Sequence, residues 1–506
     1  MCTVNYSIIR RSGSLKGGRP SAREASRFLL SSPVSVAAGR WNSLLMQFGQ
    51  FIVHDISKTS ILPTDQCPLC SDIPGKCFPI KVDPSDQRFG CQQPPCCLGF
   101  TRSAPVCGLQ PRIRLNENTA FIDGSQIYSS SSLDAARLRD QQSAFLRQTF
   151  FNNKPFMPFD SNQCFGPGSC TANFDTGDNR VSIFVGLAAL HTIFLREHNR
   201  LASDLRRLNP QWSDERVFQE SRKIVGAQLQ IVTSKFWLTK VLGSDEPLGP
   251  YKGYDPSVNP TIADEFANGA MRFGHGMVQE FFARVDAGGQ SIPEGQMRVD
   301  TGVLQPQKLL FEGGPDAIVR GMMMTALKKP QRLTTALTEN MFGTADLGAV
   351  NIQRGRDAGV PGYNTWREFC SLPRANSFDD LANEFPDPVL RNNLRQGYSH
   401  PDNVDLYVAA LLEEPRGNSL VGPTIACLIR NQFKRIRDGD RFWYENPGVF
   451  TEQQLAELNK STLARILCDN GDDFHLVVRD AFEVTDGQNL TPCQSIVSLD
   501  LRKWSD

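Results

Sequence analysis

The chain has 506 residues, with 54 Lys and Arg against 54 Asp and Glu, and a formal net charge of zero at pH 7. A 40% hydrophobic share at that length supports a substantial core, as one large domain with insertions or as two to four ordinary ones. The balanced, interspersed charge excludes the basic excess that marks nucleic-acid or anionic-membrane partners. The longest apolar run, "IFVGLAALHTIFL" from Ile183, is too short to span a bilayer.

The start, "MCTVNYSIIRRSGSLKGG", has no apolar core of signal-peptide length, which taken literally argues for a cytosolic chain. Cysteine usage argues the other way. Of 14 cysteines, seven fall between Cys67 and Cys107 in a Pro- and Gly-rich stretch, and the rest are Cys2, Cys164, Cys170, Cys370, Cys427, Cys468 and Cys493. A zinc ribbon on Cys67, Cys70, Cys96 and Cys97 competes, but adjacent cysteines and the intervening Cys77 and Cys91 fit its paired spacing poorly. Sequons at Asn5, Asn459 and Asn489 agree with disulfides and a secretory compartment, so a signal segment or propeptide is expected to be missing.

Along the chain, the pattern predicts a helix over 40–56, then a loop region over 60–115 with only short strands. Helices follow over 131–148, 182–208 and 214–242, with Ser213 and Asp214 as cap candidates, then over 261–283, 315–328 and 331–340. Four C-terminal stretches, "FDDLANEF", "VDLYVAALLEE", "GPTIACLIRNQFKRIRDGD" and "TEQQLAELNKSTLARILCDN", also carry helical periodicity. The fold class expected is mainly α, with few short strands and disulfide-held loops.

In "LLMQFGQFIVHDISKTS" the apolar residues Leu44, Leu45, Phe48, Phe51 and Ile52 define one helical face. Gln50 and His54 lie one turn apart on a shared face, whereas Asp55 points about 100° away, so the pair can serve two sites. A core histidine satisfied by a carbonyl is the plainer reading of this stretch alone. His54 is one of six histidines, with His191, His198, His275, His400 and His475. His191 and His198 in "HTIFLREHNR" are seven apart, unlike the one-turn spacing of a helical zinc site, and are expected to pack beside a charged face of Arg196, Glu197 and Arg200. On a helix, His275 would share a face with Met271, Val278 and Phe282, a setting that suits a planar apolar cofactor or a buried core histidine equally. Thr119, Phe121, Asp123 and Ser125 alternate in "NTAFIDGS", so in an extended loop their oxygens can converge on calcium; without a second carboxylate, a turn capped by Asp123 is the better reading.

Seven ordered motifs, "MQFGQFIVHD", "ENTAFIDGS", "GDNRVS", "LHTIFLREHNRLASDLRRLNPQW", "IVGAQLQIV", "AMRFGH" and "VNIQRGRDAGVPGYNTWREFC", together resemble the animal haem peroxidases, the group of myeloperoxidase, peroxinectin and peroxidasin. The resemblance runs from about residue 20 to 495. It implies a large single-domain haem peroxidase fold over 20–506, with 1–19 as an incomplete N-terminal remnant. It implies that His54 is the distal histidine, Gln50 the distal glutamine, Arg180 the catalytic arginine, His275 the proximal iron ligand and Asn351 the partner of its ring N–H. Arg272 would lie near a haem propionate. Asp55 would join Thr119, Phe121, Asp123 and Ser125 around calcium. In that chemistry a distal imidazole moves a proton between the oxygens of hydrogen peroxide, a guanidinium stabilises developing charge, and electrons return from a phenolic, tyrosyl or halide donor.

Family members with covalently bound haem carry carboxylates where this chain has Val53 and Ile183, and the sulfonium-forming methionine of myeloperoxidase is matched by Phe184. "RDHG" reads "RDAG" at Arg356 to Gly359. The expectation is therefore a secreted peroxidase with calcium and non-covalent haem b, serving oxidative-stress response or matrix cross-linking, with a matrix protein as a candidate partner. The alternatives are an inactive peroxidase-like adhesion module and a fatty-acid dioxygenase. The dioxygenase needs a tyrosine three residues before the proximal ligand, where this chain has Arg272.

Overall fold

The computed structural model of the chain describes residues 18–62, 67, 70–106, 113–164, 166–171 and 173–506. Its centre is the helix Val185–Leu208, whose apolar positions from Val185 to Leu205 are buried. Around it pack Asp214–Ile231, Gly314–Met324, Leu463–Asn470 and Ser43–Ile56. Each presents an apolar stripe to that axis, and each fully buried Leu, Ile or Phe contributes about 1.5–3 kcal/mol. Strands are short and pair only in twos among the described residues. Ser213 caps Asp214–Ile231 by accepting from the Arg216 N–H, and a wider π-type turn over Val232–Trp237 leads into Leu238–Leu242.

Several expected helices are shorter, for identifiable reasons. Residues 40–42 belong to the strand Ala37–Asn42, whose last residue caps Ser43–Ile56 by accepting from the Leu44 N–H. The 131–148 helix ends at Leu138, because Asp140 accepts from the Gln142 N–H and the Ser143 hydroxyl and turns the chain towards the hairpin Thr149–Phe151 with Lys154–Phe156. The 315–328 and 331–340 patterns give helices Gly314–Met324 and Thr335–Glu339, with the strands Ala326–Lys328 and Leu333–Thr334 between them. "FDDLANEF" makes only a 3-10 turn, Asp379–Leu381, whereas Leu406–Leu412, Pro423–Asp438, Glu452–Leu458 and Leu463–Asn470 are helices.

The 261–283 prediction fails in kind. The segment breaks into Asp264–Ala267, a 3-10 stretch Ala270–Met277 and a strand Phe281–Phe282, so Val278 and Phe282 do not share a helical face with His275. Glycine permits the close approach that breaks the helix: a Cβ on Gly276 would sit 1.8 Å from the Pro330 carbonyl oxygen.

Among the described residues, six disulfides join Cys67–Cys77, Cys70–Cys97, Cys91–Cys96, Cys164–Cys170, Cys370–Cys427 and Cys468–Cys493. Three of them fasten the 60–115 region, whose described residues form the strands Ile80–Val82 and Cys96–Leu98. Cys370–Cys427 spans 57 residues, which in the chain-entropy account is worth about 4 kcal/mol. Cys2, Cys107 and Asn5 lie outside the described residues; Asn459 and Asn489 are exposed.

Candidate active site

The C-terminal end of Ser43–Ile56 organises the site. The last four carbonyls of a helix lack partners within it, and here each finds one. Val53 O accepts from Ser57 N (3.0 Å), Asp55 O from Ser125 Oγ (2.6 Å) and Ile56 O from Asn116 Nδ2 (3.0 Å). His54 O accepts from Arg180 Nη2 (3.3 Å) and from Asn118 Nδ2. Binding these groups fixes the helix end to the 116–125 loop and to Arg180.

The two faces of that end then diverge. On one, the Asp55 carboxylate accepts from Ser125 N (2.6 Å) and Gly124 N (3.1 Å). Thr119 Oγ1 donates to Asp123 Oδ1 (3.0 Å) and approaches Phe121 O (3.3 Å). Burial and the neighbouring Asp123 push the Asp55 carboxyl well above the usual carboxylate range; burial raises Asp123 too, with Arg222 opposing. The loop is less extended than alternation suggests, since Gly124 takes a left-handed conformation and Ser125 opens a short helix. It still ties Ser125 to Asp55, sets Asp123 beside Asp55, and joins Thr119 to Asp123 and Phe121. No group of three or more His, Cys, Asp or Glu that could hold a metal occurs among the described residues.

On the other face, Gln50 and Val53 are the two residues of the helix that are not buried, with His54 beside them. His54 Nδ1 is buried without a partner. Burial first, then Arg180, hold the imidazole well below its ordinary pKa, so it is a neutral base near pH 7. Arg180 is fixed by Asp178, through Nε (2.9 Å) and Nη2 (2.6 Å), and by Ser57 O (3.0 Å). Burial opposes ionisation of Asp178, but the Arg180 guanidinium outweighs it and holds the carboxylate well below its usual range. A recess of about 450 Å³ lined by Lys58, Asp134, Arg137, Asn179 and Ser182 opens alongside.

Ala270–Met277 packs against Ser43–Ile56 and carries His275 and Arg272. Burial, then Arg272, lower the His275 pKa to about 3. Burial, with Arg354 next, lowers that of Arg272 to about 10. Both nevertheless keep some accessible surface. A Cβ on Gly274 would meet nothing within 4 Å.

Asn351 meets His275 as expected, but its amide is turned the other way. Its Nδ2 lies 2.8 Å from His275 Nδ1 and 3.1 Å from the Tyr407 hydroxyl, while its Oδ1 accepts from Arg272 Nη1 at 2.5 Å. The physical reason is Arg272, whose partners are all neutral (Ala267 O, Asn268 Oδ1 and Asn351 Oδ1), so it takes the amide oxygen.

Sequence reasoning missed Asp178, Asn118 and Tyr407. The first two were within reach, since Asn118 lies in "ENTAFIDGS" and Asp178 in "GDNRVS"; Tyr407, inside an apolar run, gave no signal. Glu197 is buried and pairs with Arg200, so the expected charged face is interior. His191 and His198 pack as expected, the latter bonded to Tyr128. Val53 and Ile183 are half-buried and pack against the core, and Phe184 packs on Phe282. Ala358 is a buried helix cap, and nothing in the structure explains alanine there.

The family model for the animal haem peroxidases matches residues 5–482. The chain is 52% identical over 493 residues to "Peroxidase mlt-7" of Caenorhabditis elegans, covering 97% of this chain and 68% of that protein. Among solved structures it resembles Peroxidase A of Dictyostelium discoideum at TM-score 0.79 and 26% identity, covering 93% of this chain and 92% of the other. A fatty acid alpha-dioxygenase of Oryza sativa shares the fold at TM-score 0.75 and 17% identity, covering 93% and 81%. With the family model spanning nearly its whole length and a relative at that identity, the chain belongs to the animal haem peroxidases and is an enzyme of the peroxidase class.

Proposed function

We propose that the site between the segments carrying His54 and His275 reduces hydrogen peroxide at a haem held between these two residues, and that phenolic, tyrosyl or halide donors restore it. The observation that carries this reading is the pair of deep imidazoles on two packed segments. His275 Nε2 takes no hydrogen bond from the described residues, and His54 Nδ1 is buried and unpartnered. The fit to haem has further support. Open space lies beside Gly274, the apolar Val53 and Ile183 are half-buried near His54 and Arg180 in the sequence, and Arg272 is a half-buried cation with only neutral partners, suited to a propionate. With Arg272 on a propionate, Asn351 Oδ1 is released and can accept from His275 Nδ1–H, which leaves Nε2 free to ligate.

Haem, when bound, supplies the electrons that cleave the peroxide O–O bond and recovers them from the donor. Neutral His54 takes the proton from one peroxide oxygen and returns it to the other, which leaves as water. Arg180, positioned by Asp178 and the helix-end carbonyls, stabilises the negative charge on the departing oxygen. Gln50, one turn before His54, orients peroxide.

Calcium belongs to this reading: Asp55 and Asp123 are neighbouring carboxylates, one buried and one half-buried, that a hard cation would relieve, with Thr119, Phe121 and Ser125 adding neutral oxygens. Haem is held non-covalently as haem b, since Val53, Ile183 and Phe184 cannot form ester or sulfonium links. Residues 20–506 form the catalytic domain. The disulfides and the exposed Asn459 and Asn489 sequons support secretion, and oxidative-stress response or matrix cross-linking is the role proposed. The test is an optical spectrum with turnover: a Soret band and peroxide-dependent oxidation of a phenol are expected, and protein that binds no haem, or binds it without turnover, overturns the proposal.

A further inference from the structure

Lys328 ends the strand Ala326–Lys328 and is fully buried. Its Nζ donates to four backbone carbonyls: Gly276 (2.9 Å), Lys329 (3.0 Å), Gln331 (2.7 Å) and Arg332 (2.9 Å). An ammonium has three protons, so the four oxygens share them, and the charge is held by dipoles alone, as a small bound cation would be. Three of the carbonyls belong to the turn that the ammonium folds around itself. The fourth is that of the residue directly after His275.

The same turn presses on that residue. A Cβ on Gly276 would lie 1.8 Å from Pro330 O and 2.7 Å from a Leu411 methyl. Arg332 closes the turn with φ +69°, a conformation costly for a residue with a side chain, and its guanidinium reaches Leu29 O. Burying an ammonium without a carboxylate is expensive, and an apolar side chain of similar volume would avoid that cost. What the charge achieves is a fixed Gly276 carbonyl and, through one peptide unit, a fixed backbone at His275.

We propose that Lys328 is a positioning residue for the proximal imidazole: by pinning the Gly276 carbonyl, it sets the direction in which His275 meets the haem iron. The inference rests on the reading of His275 as iron ligand. Without the ammonium, four carbonyls lose their donor, the 329–332 turn loosens and Ala270–Met277 gains freedom to rotate.

The test compares the full chain with Lys328→Met and Lys328→Gln after haem loading, with Leu309→Ala as a buried control away from the turn. Two readouts are taken: the iron–histidine stretching band of the reduced protein, and the rate of haem loss to an apoprotein acceptor. Lys328→Met should shift or broaden the band and speed haem loss by about 10-fold to 100-fold. Lys328→Gln, which keeps an amide donor, should move both less, and Leu309→Ala should lower the melting temperature without moving the band. An unchanged band and loss rate in Lys328→Met or Lys328→Gln, whatever their melting temperatures, overturns the proposal. If neither variant folds, a folding role replaces the positioning role and the proposal is equally overturned. Absence of the band from unsubstituted protein overturns the ligand assignment itself, a distinguishable outcome that removes the proposal with it.

Discussion

Asp55→Asn should change sign with calcium. In metal-free protein the buried Asp55 carboxyl neighbours the half-buried one of Asp123, and burial together with Asp123 pushes Asp55 up. Two like charges about 4 Å apart at an effective dielectric near 20 repel by roughly 4 kcal/mol, an upper bound because one carboxyl can take up a proton instead. Asparagine removes the repulsion and keeps one oxygen for the N–H groups of Gly124 and Ser125, so the metal-free variant should melt at or above the unsubstituted protein. Calcium reverses the order. At a concentration 100 times its dissociation constant it stabilises the native state by about 2.7 kcal/mol, and a site with a single carboxylate forfeits most of that. The assay is thermal unfolding at one scan rate, with chelator and with calcium, for both proteins. Equal calcium responses, or a metal-free variant markedly less stable than its parent, would refute the reasoning.

Three further outcomes are expected. Acidified organic solvent should extract intact haem b and leave colourless protein, because Val53, Ile183 and Phe184 offer no linking group; haem that stays with the chain contradicts this. Asp178→Asn should leave the haem spectrum near native but slow the reaction with peroxide by about 10-fold or more, since Arg180 loses the carboxylate that orients it (2.6 and 2.9 Å); unchanged stopped-flow rates would count against that role. Acid stability should depend on Asp86: burial opposes its ionisation, but Arg23 and the Phe89 and Arg88 N–H groups pull its pKa down to about 2. A depressed carboxylate stabilises fully above its unfolded value of 3.8 and loses that contribution as pH falls towards 2. Asp86→Asn should therefore be about 2 kcal/mol less stable at pH 6, with the gap closing between pH 4 and 2 in denaturant titrations; a gap independent of pH refutes the assignment.

What the sequence disclosed follows the range over which each determinant acts. Ser43–Ile56 was legible because its apolar period and polar end are local, and the divergence of His54 from Asp55 followed from 100° per residue. The 119–125 loop was legible as alternating oxygens, though the second carboxylate proposed for it, Asp55, came only from the resemblance. Ala270–Met277 was misread as helix because its shape is set by distant atoms, Pro330 O and Leu411 against Gly276, that no local period encodes. The Asn351 amide was expected with the opposite end towards His275, because the competing claim of Arg272 depends on tertiary placement. Lys328 gave no signal: it stands at the end of the helix expected over 315–328, and only the fold shows its ammonium at the centre of a turn.

The central claim is that the two imidazoles have different tasks, His275 holding the iron permanently and His54 moving the proton. Optical spectra and stopped-flow peroxide kinetics of His275→Ala and His54→Ala test it most directly. His275→Ala should lose haem or its native Soret band. His54→Ala should keep the band while its peroxide rate constant falls by about 100-fold to 10,000-fold. The reverse pattern, or a His54→Ala protein that reacts with peroxide at the unsubstituted rate, would contradict the account.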